Sequence, residues 1–529
     1  MTASERLGAR DLLDLVLDDG SFESWDAEPI AVATHRDHSV YVQERVDAAR
    51  ASGVDESIVT GRGLLRGRAV AVVAGEFRFL AGSIGVAAAE RLVLAIEGAT
   101  RERLPLLAAP SSGGTRMQEG AMAFVQMLKI TQAVVAHKQA GLPYLVYLRD
   151  PTTGGVFASW GSLGHLTAAE PGARVGFLGP RVYRALYGRD FPSHVQTAEN
   201  LVDKGLIDAI VPAEQLAGLA DRVLGLIQDA PDAATPDPGP PPSDVALDLS
   251  VVREHDPWDS VRRTRRPQRP HVLDLLRVAA HDVLPLNGTG AGENHPGLLL
   301  AFASFGRAPC ILLGQDRQGQ EDDRPLGPDA LRQARRGMRL ADELGLPLVT
   351  VIDTPGAALT VQAEEGGLSG EIARSLADLV ALQATTVALL LGQGSGGGAL
   401  ALAAADRVLA AQHSWLSPLS PEGASSILHR DTEHAAEMAR RQGIGAVALA
   451  EQGIVDLVVA EHPDAADEPD EFCRRVGLAL EWELLTLARL GTDDRLGQRH
   501  DRYRNLGLPA SSPPSSRQAG GAARAAGAP

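Results

Sequence analysis

Backbone donors, rather than side chains, are the reactive groups this sequence offers. Ser112-Gly113-Gly114-Thr115 follows an apolar run over residues 104–109 and precedes a helical pattern. Glycine permits the sharp turn and has no side chain to keep a ligand off the backbone. The N–H groups of Gly113, Gly114 and Thr115 are expected free at a helix N-terminus. Missing intrahelical partners and the helix dipole favour a negative oxygen at such a terminus. A Gly-Gly pair can equally just end a strand, but here the arrangement recurs. Gly154-Gly155 follows in the first half, and Gly356-Ala357 and Gly396-Gly397-Gly398-Ala399 repeat the pattern in the second. Gly113 and Gly154 are 41 residues apart, and so are Gly356 and Gly397. Neither a Ser/His/Asp constellation nor a carboxylate pair accompanies the turns. The chemistry on offer is stabilisation of developing oxyanions, where one lost donor costs roughly 3–4 kcal/mol of barrier.

Such turns need a strand before them and a helix after them. The pattern predicts helices over 11–20 and 41–51, then a hairpin of strands 69–74 and 76–80 by alternation. Strand 104–109 feeds the first turn. A helix is expected over 115–140, with Met122, Val125, Leu128 and Ile130 at helical spacing as core residues. Gly141-Leu-Pro143 leads into strand 144–148, which ends at the second turn. The second half repeats the order: a helix near 329–344, Gly345-Leu-Pro347, strand 348–352 and strand 386–391. Residues 169–180 and 411–423, beyond the second turns, are also comparable. The chain reads as a duplication of strand–helix units, which favours an α/β architecture. A Pro-rich linker, 229–246, separates residues 1–228 from 247–507, and the Pro/Ser/Gly/Ala tail 508–529 is expected to be disordered.

At 529 residues the chain has room for two to four domains. Its 44% hydrophobic and 22% charged residues are those of a soluble globular protein, and a net charge of −17 argues against non-specific nucleic-acid binding. Two cysteines, Cys310 and Cys473, make neither a disulfide framework nor a four-thiolate metal site. No apolar run approaches a membrane span and the N-terminus lacks a signal-peptide core, so a cytoplasmic location is expected.

The combined motifs resemble a known family. Gly75-Glu-Phe-Arg-Phe-Leu-Ala-Gly-Ser-Ile-Gly85, Ser112-Gly-Gly-Thr-Arg-Met-Gln-Glu119, Asp150-Pro-Thr-Thr-Gly-Gly155, Ala169-Glu-Pro171 and Phe177-Leu-Gly-Pro-Arg181 resemble the beta subunit of bacterial acetyl-CoA carboxylase carboxyltransferase. Residues 256–269, Ile352-Asp-Thr-Pro-Gly-Ala357, Ala363-Glu-Glu-Gly366, Gly396-Gly-Gly-Ala-Leu400 and Ser420-Pro-Glu-Gly423 resemble its alpha subunit. The two are joined head to tail, and the likeness runs from about residue 8 to 460. It implies two tandem crotonase-like ββα-superhelix domains. It also implies transfer of a carboxyl group from carboxybiotin on a carrier protein to acetyl-CoA or another acyl-CoA. By the resemblance, Gly113 and Gly114 face the thioester oxygen, and Gly398 and Ala399 the biotin oxygen. Arg116, Gly154, Gly155, Gly356, Ala357, Gly397 and Ala401 line the substrates. Biotin's own ureido nitrogen takes the α-proton in the family, so no protein base is required. The chain lacks a biotin-attachment Met-Lys-Met and an ATP module, so biotin carboxyl carrier protein and biotin carboxylase are expected on other chains. The family's active site lies between protomers, which implies a homodimer or larger.

Blander readings stand beside these. Arg116 and Arg181 suit CoA phosphates as guanidinium groups or are ordinary surface arginines. Ala401 tunes acyl size or packs a helix. Glu364 and Glu365 order the turn or are solvated. His165 is read as structural, and Asp353-Thr-Pro as the start of a helix. Departures from the family pattern are the missing four-cysteine zinc ribbon, hence no metal, an acidic stretch ending at Glu321-Asp322-Asp323, and Ala358-Leu-Thr360 in place of Tyr-Pro-Gly. The competing functions are a malonyl or methylmalonyl thioester decarboxylase of the same fold and a non-catalytic assembly partner.

Overall fold

The computed structural model describes residues 6–30, 38–177, 180–242, 245–246, 255–320 and 324–508. A hairpin starts the main sheet of the first half. Strands Ile58–Leu65 and Arg68–Gly75 pair antiparallel through Arg66 and Gly67, at φ 49° and 83°. Two positive φ angles give the turn whose twist suits adjoining strands. The expected partner, 76–80, instead leaves the sheet for a 3-10 turn at Leu80–Gly82. Gly75 lies against the Ser111 backbone, so closely that a Cβ there would sit 2.5 Å from Ser111 N. That packing leaves no room for a strand to fold back after it.

From this hairpin Leu106–Ala109, Tyr144–Leu148, Leu166–Ala169 and Ala209–Ile210 add in parallel. The second half does the same. Leu298–Phe305 and Ala308–Gln315 form the hairpin, followed by parallel Leu348–Thr354, Thr386–Ser395, Arg407–Ala411 and Leu457–Val459. Parallel strands covered on both faces read as unbroken apolar runs, which is why the sequence located them.

Alternate residues of one strand enter different cores. Ala71 and Val73 pack under helices Val86–Arg101 and Gly120–Gln139. Val70, Val72 and Ala74 join a core that also holds Leu300, Phe302, Ile311 and Leu313 of the second half. Helix Ala213–Gln228 contributes Leu216, Ala220, Val223 and Leu224 to that shared core and lies against strands Leu298–Phe305 and Ala308–Gln315. The far face of the second sheet is covered by helices Val272–Ala279 and Pro469–Ala488.

Other expectations change in detail. The first long helix is Gly120–Gln139, preceded by a 3-10 turn at Met117–Glu119. Ile130 is buried, but Met122, Val125 and Leu128 are exposed rather than core. Within 229–246, Val245–Ala246 is a strand paired with Leu457–Val459, and Gly239 O accepts a hydrogen bond from Trp482 Nε1 at 2.9 Å. The tail 509–529 lies outside the described residues. Among those residues no helix is long and apolar enough to cross a membrane.

Candidate active site

In each half the two glycine turns stack backbone to backbone. A Cβ on Gly114 would lie 3.4 Å from Thr153 O and 3.5 Å from Gly154 Cα. Ser112 N–H donates to Pro151 O at 2.6 Å and Thr153 N–H to Ser112 O at 2.9 Å, locking the pair. Gly114 and Gly154 hold φ of 110° and 65°, which side chains resist. In the second half a Cβ on Gly398 would lie 3.3 Å from Ala357 N, and Gly356 has φ 141°. The stacked pairs, Gly114 on Gly154 and Ala357 on Gly398, are 40 and 41 residues apart, within one residue of the 41-residue spacing of the sequence.

The donors differ from those expected. Gly113 N–H donates to Ala81 O at 2.8 Å and Gly114 N–H to Ser112 Oγ at 3.0 Å. Neither is free, and no helix starts at Thr115 to orient them, because the chain first makes a bridge to Ile84. Gly154 N–H is also used, by Gly176 O and Phe177 O at 3.1 Å. Gly155 N–H has no acceptor among the described residues. The N–H groups of Gly398 and Ala399 lie in helix Gly396–Leu400 and bond no other described element.

Arg116 is no phosphate ligand. Its guanidinium is fully buried and makes two 2.7 Å hydrogen bonds to Glu56, plus one to Ser83 O at 2.7 Å. Burial opposes its charge, but Glu56 more than offsets this and keeps it protonated. Burial also pushes the neighbouring Tyr41 phenol up to about 12. Arg181 lies in helix Pro180–Tyr187, with its side chain outside the described residues, as are Glu321, Asp322 and Asp323.

Asp353 does not start a helix. It sits in strand Leu348–Thr354, buried, with Oδ1 accepting Gln393 N–H at 2.9 Å and Oδ2 without a hydrogen-bond donor among the described residues. Burial holds its carboxyl above the usual range, although Arg317 lies 3.8 Å away. Gly392 is needed opposite it, since a Cβ there would lie 2.4 Å from Asp353 Oδ1. Deeper, Arg269 pairs with Glu461 through two 2.8 Å hydrogen bonds. Burial works to raise the Glu461 carboxyl, and Arg269 overrides it, leaving about 2.

Ala401 is buried against Leu331, Ala358, Ala363 and Leu368, as the packing reading has it. Glu364 and Glu365 are exposed on helix Val361–Glu365. His165 is structural: Nδ1 accepts Tyr144 N–H at 3.0 Å, and Nε2 faces Glu343 across the halves at 3.2 Å. Burial keeps the imidazole below its ordinary pKa despite Glu343. Sequence reasoning missed Gln315, whose amide joins the two second-half turns, and Ser159, which holds Gly155 O at 2.6 Å. It also missed the open apolar side of helix Gly120–Gln139. Apolar residues around the whole helix were a signal for burial by an assembly.

Residues 245–507 match the family model described as acetyl co-enzyme A carboxylase carboxyltransferase-like. The chain is 56% identical over 504 residues to the probable biotin-dependent acyl-coenzyme A carboxylase beta3 subunit of Mycobacterium tuberculosis, covering 95% of this chain and 99% of that one. This chain belongs to the biotin-dependent acyl-CoA carboxyltransferase family. The carboxyltransferase is also 36% identical to the acetyl-coenzyme A carboxylase carboxyl transferase subunits beta/alpha of Parafrankia sp., covering 98% and 88% of the two chains. Among solved structures it is similar to transcarboxylase 12S, with a TM-score of 0.69, 22% identity and 89% of each chain covered. That protein is described as a hexamer with hydrolysed methylmalonyl-coenzyme A bound. The shared fold is two tandem crotonase-like domains, as expected.

Proposed function

We propose that this carboxyltransferase moves a carboxyl group from carboxybiotin on a separate carrier protein to acetyl-CoA, giving malonyl-CoA. Residues 1–228 and 247–507 act as the two domains. The observation that carries this is the stacked glycine turns in both halves, each holding at least one backbone N–H that bonds no other element among the described residues. Gly155 N–H is the donor for the thioester oxygen as its α-carbon loses a proton. Gly398 and Ala399 N–H are the donors for the ureido oxygen. Biotin supplies the carboxyl and the nitrogen that takes the α-proton. Fixed amides need no reorganisation as charge develops, and each is worth roughly 3–4 kcal/mol.

Among the described residues no hydrogen bond or ion pair links the first-half turns to the second-half turns within one chain, so a second copy completes each site. The faces for it are open. Phe124 and Leu128, on the helix that lines Gly155 through Met127, are 65% and 74% exposed. Leu359 and Ile427, on the second-half side, are 90% and 71% exposed. Covering each face with the other in a two-fold dimer buries both. A biotin carboxyl carrier protein and a biotin carboxylase on other chains are the further partners.

Purified chain incubated with malonyl-CoA is the test. Decarboxylation that requires added biotin is the expected result. Decarboxylation indifferent to biotin points to a thioester decarboxylase, and none under any condition, with carrier present, to an assembly partner.

A further inference from the structure

Gln315 ends strand Ala308–Gln315 fully buried, with both amide atoms in use. Oε1 accepts the Asp353 N–H at 3.2 Å, and Nε2 donates to the Gly398 carbonyl at 2.7 Å. That carbonyl has no partner from its own helix. Leu402 N–H, four residues on, bonds Ala399 O at 3.2 Å, and Ala401 N–H bonds Gly397 O at 3.0 Å. A trans peptide is planar, so the Gly398 C=O and the Ala399 N–H point in opposite directions. Whatever fixes the carbonyl fixes the N–H. Glycine at 398 otherwise makes this plane easy to rotate. The first half uses the same device from a different element. Ser159 Oγ donates at 2.6 Å to the carbonyl of Gly155, which matches Gly398 in the repeat.

We propose that Gln315 is a positioning residue that holds the Gly398–Ala399 peptide with the Ala399 N–H aimed at the reacting oxygen. This rests on reading that N–H as an oxyanion donor. Gln315 itself touches no substrate; it acts through one peptide plane, and through Asp353 it ties that plane to the neighbouring turn.

The full chain is assayed with malonyl-CoA and free biotin. In Gln315→Glu the neutral carboxyl keeps an acceptor for Asp353 N–H and an O–H for Gly398 O, whereas the carboxylate has acceptors only. Burial beside Asp353 raises the pKa of the introduced carboxyl. The ratio of variant to wild-type kcat therefore rises by about 100-fold, the size of one oxyanion donor, as pH falls from about 8 to about 5. KM for the acyl-CoA, held by the other half, stays constant. Gln315→Met, which has neither hydrogen-bonding function, loses about 100-fold in kcat at every pH. A ratio that does not change with pH, or a Gln315→Met variant with wild-type kcat, overturns the proposal. If thermal unfolding shows that the Met variant does not fold, the pH ratio of Gln315→Glu decides alone. Ala399→Pro deletes the N–H at the fourth residue of helix Gly396–Leu400, and thermal unfolding checks that the variant still folds. Full turnover in that variant overturns the oxyanion reading. Loss there with a flat ratio for Gln315→Glu overturns only the role of Gln315.

Discussion

Arg116 offers the sharpest separation of two roles. As a CoA ligand it would govern KM; as the partner of Glu56 it governs folding. Both residues are fully buried, and among the described residues Glu56 otherwise has only the Ser57 N–H at 2.8 Å and Arg45 at 3.6 Å. Arg116→Met leaves that carboxylate without its main counter-charge. Removing one partner of a buried pair costs about 3–5 kcal/mol, a large share of the roughly 5–15 kcal/mol that holds a domain together. At about 2–4 °C per kcal/mol, the unfolding midpoint falls by roughly 6–20 °C. Pairing it with Glu56→Gln removes the stranded charge and recovers much of the loss. The assays are scanning calorimetry on the single and double variants and KM for acyl-CoA well below the lowered midpoint. A variant that unfolds like wild type while its KM for acyl-CoA rises tenfold refutes the structural assignment.

Gly155→Val and Gly398→Val are each expected to abolish carboxyl transfer, since the added atoms enter the turns; a Cβ at 155 alone would lie 2.9 Å from Thr115 Oγ1. Co-expressed, they recover about a quarter of wild-type activity, because half the dimers are mixed and one of their two sites is intact; no recovery in mixed assemblies rules out a shared site. Leu128→Asp with Phe124→Asp shifts the protein toward monomer by light scattering and lowers activity with it. Glu461 has a folded pKa of about 2 against an ordinary 4.5, so its stabilisation is full above 4.5 and is lost as pH falls toward 2. The loss is roughly 3 kcal/mol, read as a fall in urea midpoint that is smaller in an Arg269→Met, Glu461→Leu double variant; parallel curves for the two proteins contradict it.

Much of this was legible in the sequence, for reasons that can be named. Strands 104–109, 144–148, 348–352 and 386–391 are covered on both faces, so their apolar runs gave them away, and the 41-residue spacing exposed the duplication. The hairpin partner of Arg68–Gly75 was not legible, because the close approach of Gly75 to Ser111 is tertiary. For the same reason nothing local revealed that Ala81 O takes the Gly113 N–H, or that Glu56 lies against Arg116. Periodicity placed Met122, Val125 and Leu128 in the core, where they are not, because it cannot say whether their cover comes from the same chain or another copy. Gln315 carries no local signal, because both its partners, the Asp353 N–H and the Gly398 carbonyl, are tertiary.

The helix Ala213–Gln228 belongs to the first half in sequence and to both halves in packing. During synthesis it leaves the ribosome before strands Leu298–Phe305 and Ala308–Gln315, so Leu216 and Val223 wait for their cover. The Pro-rich segment that follows is therefore not a hinge between independent bodies. A chain cut between residues 231 and 242 yields two pieces, each carrying half of one interior. They are recovered soluble when made together in one cell and aggregate when made apart.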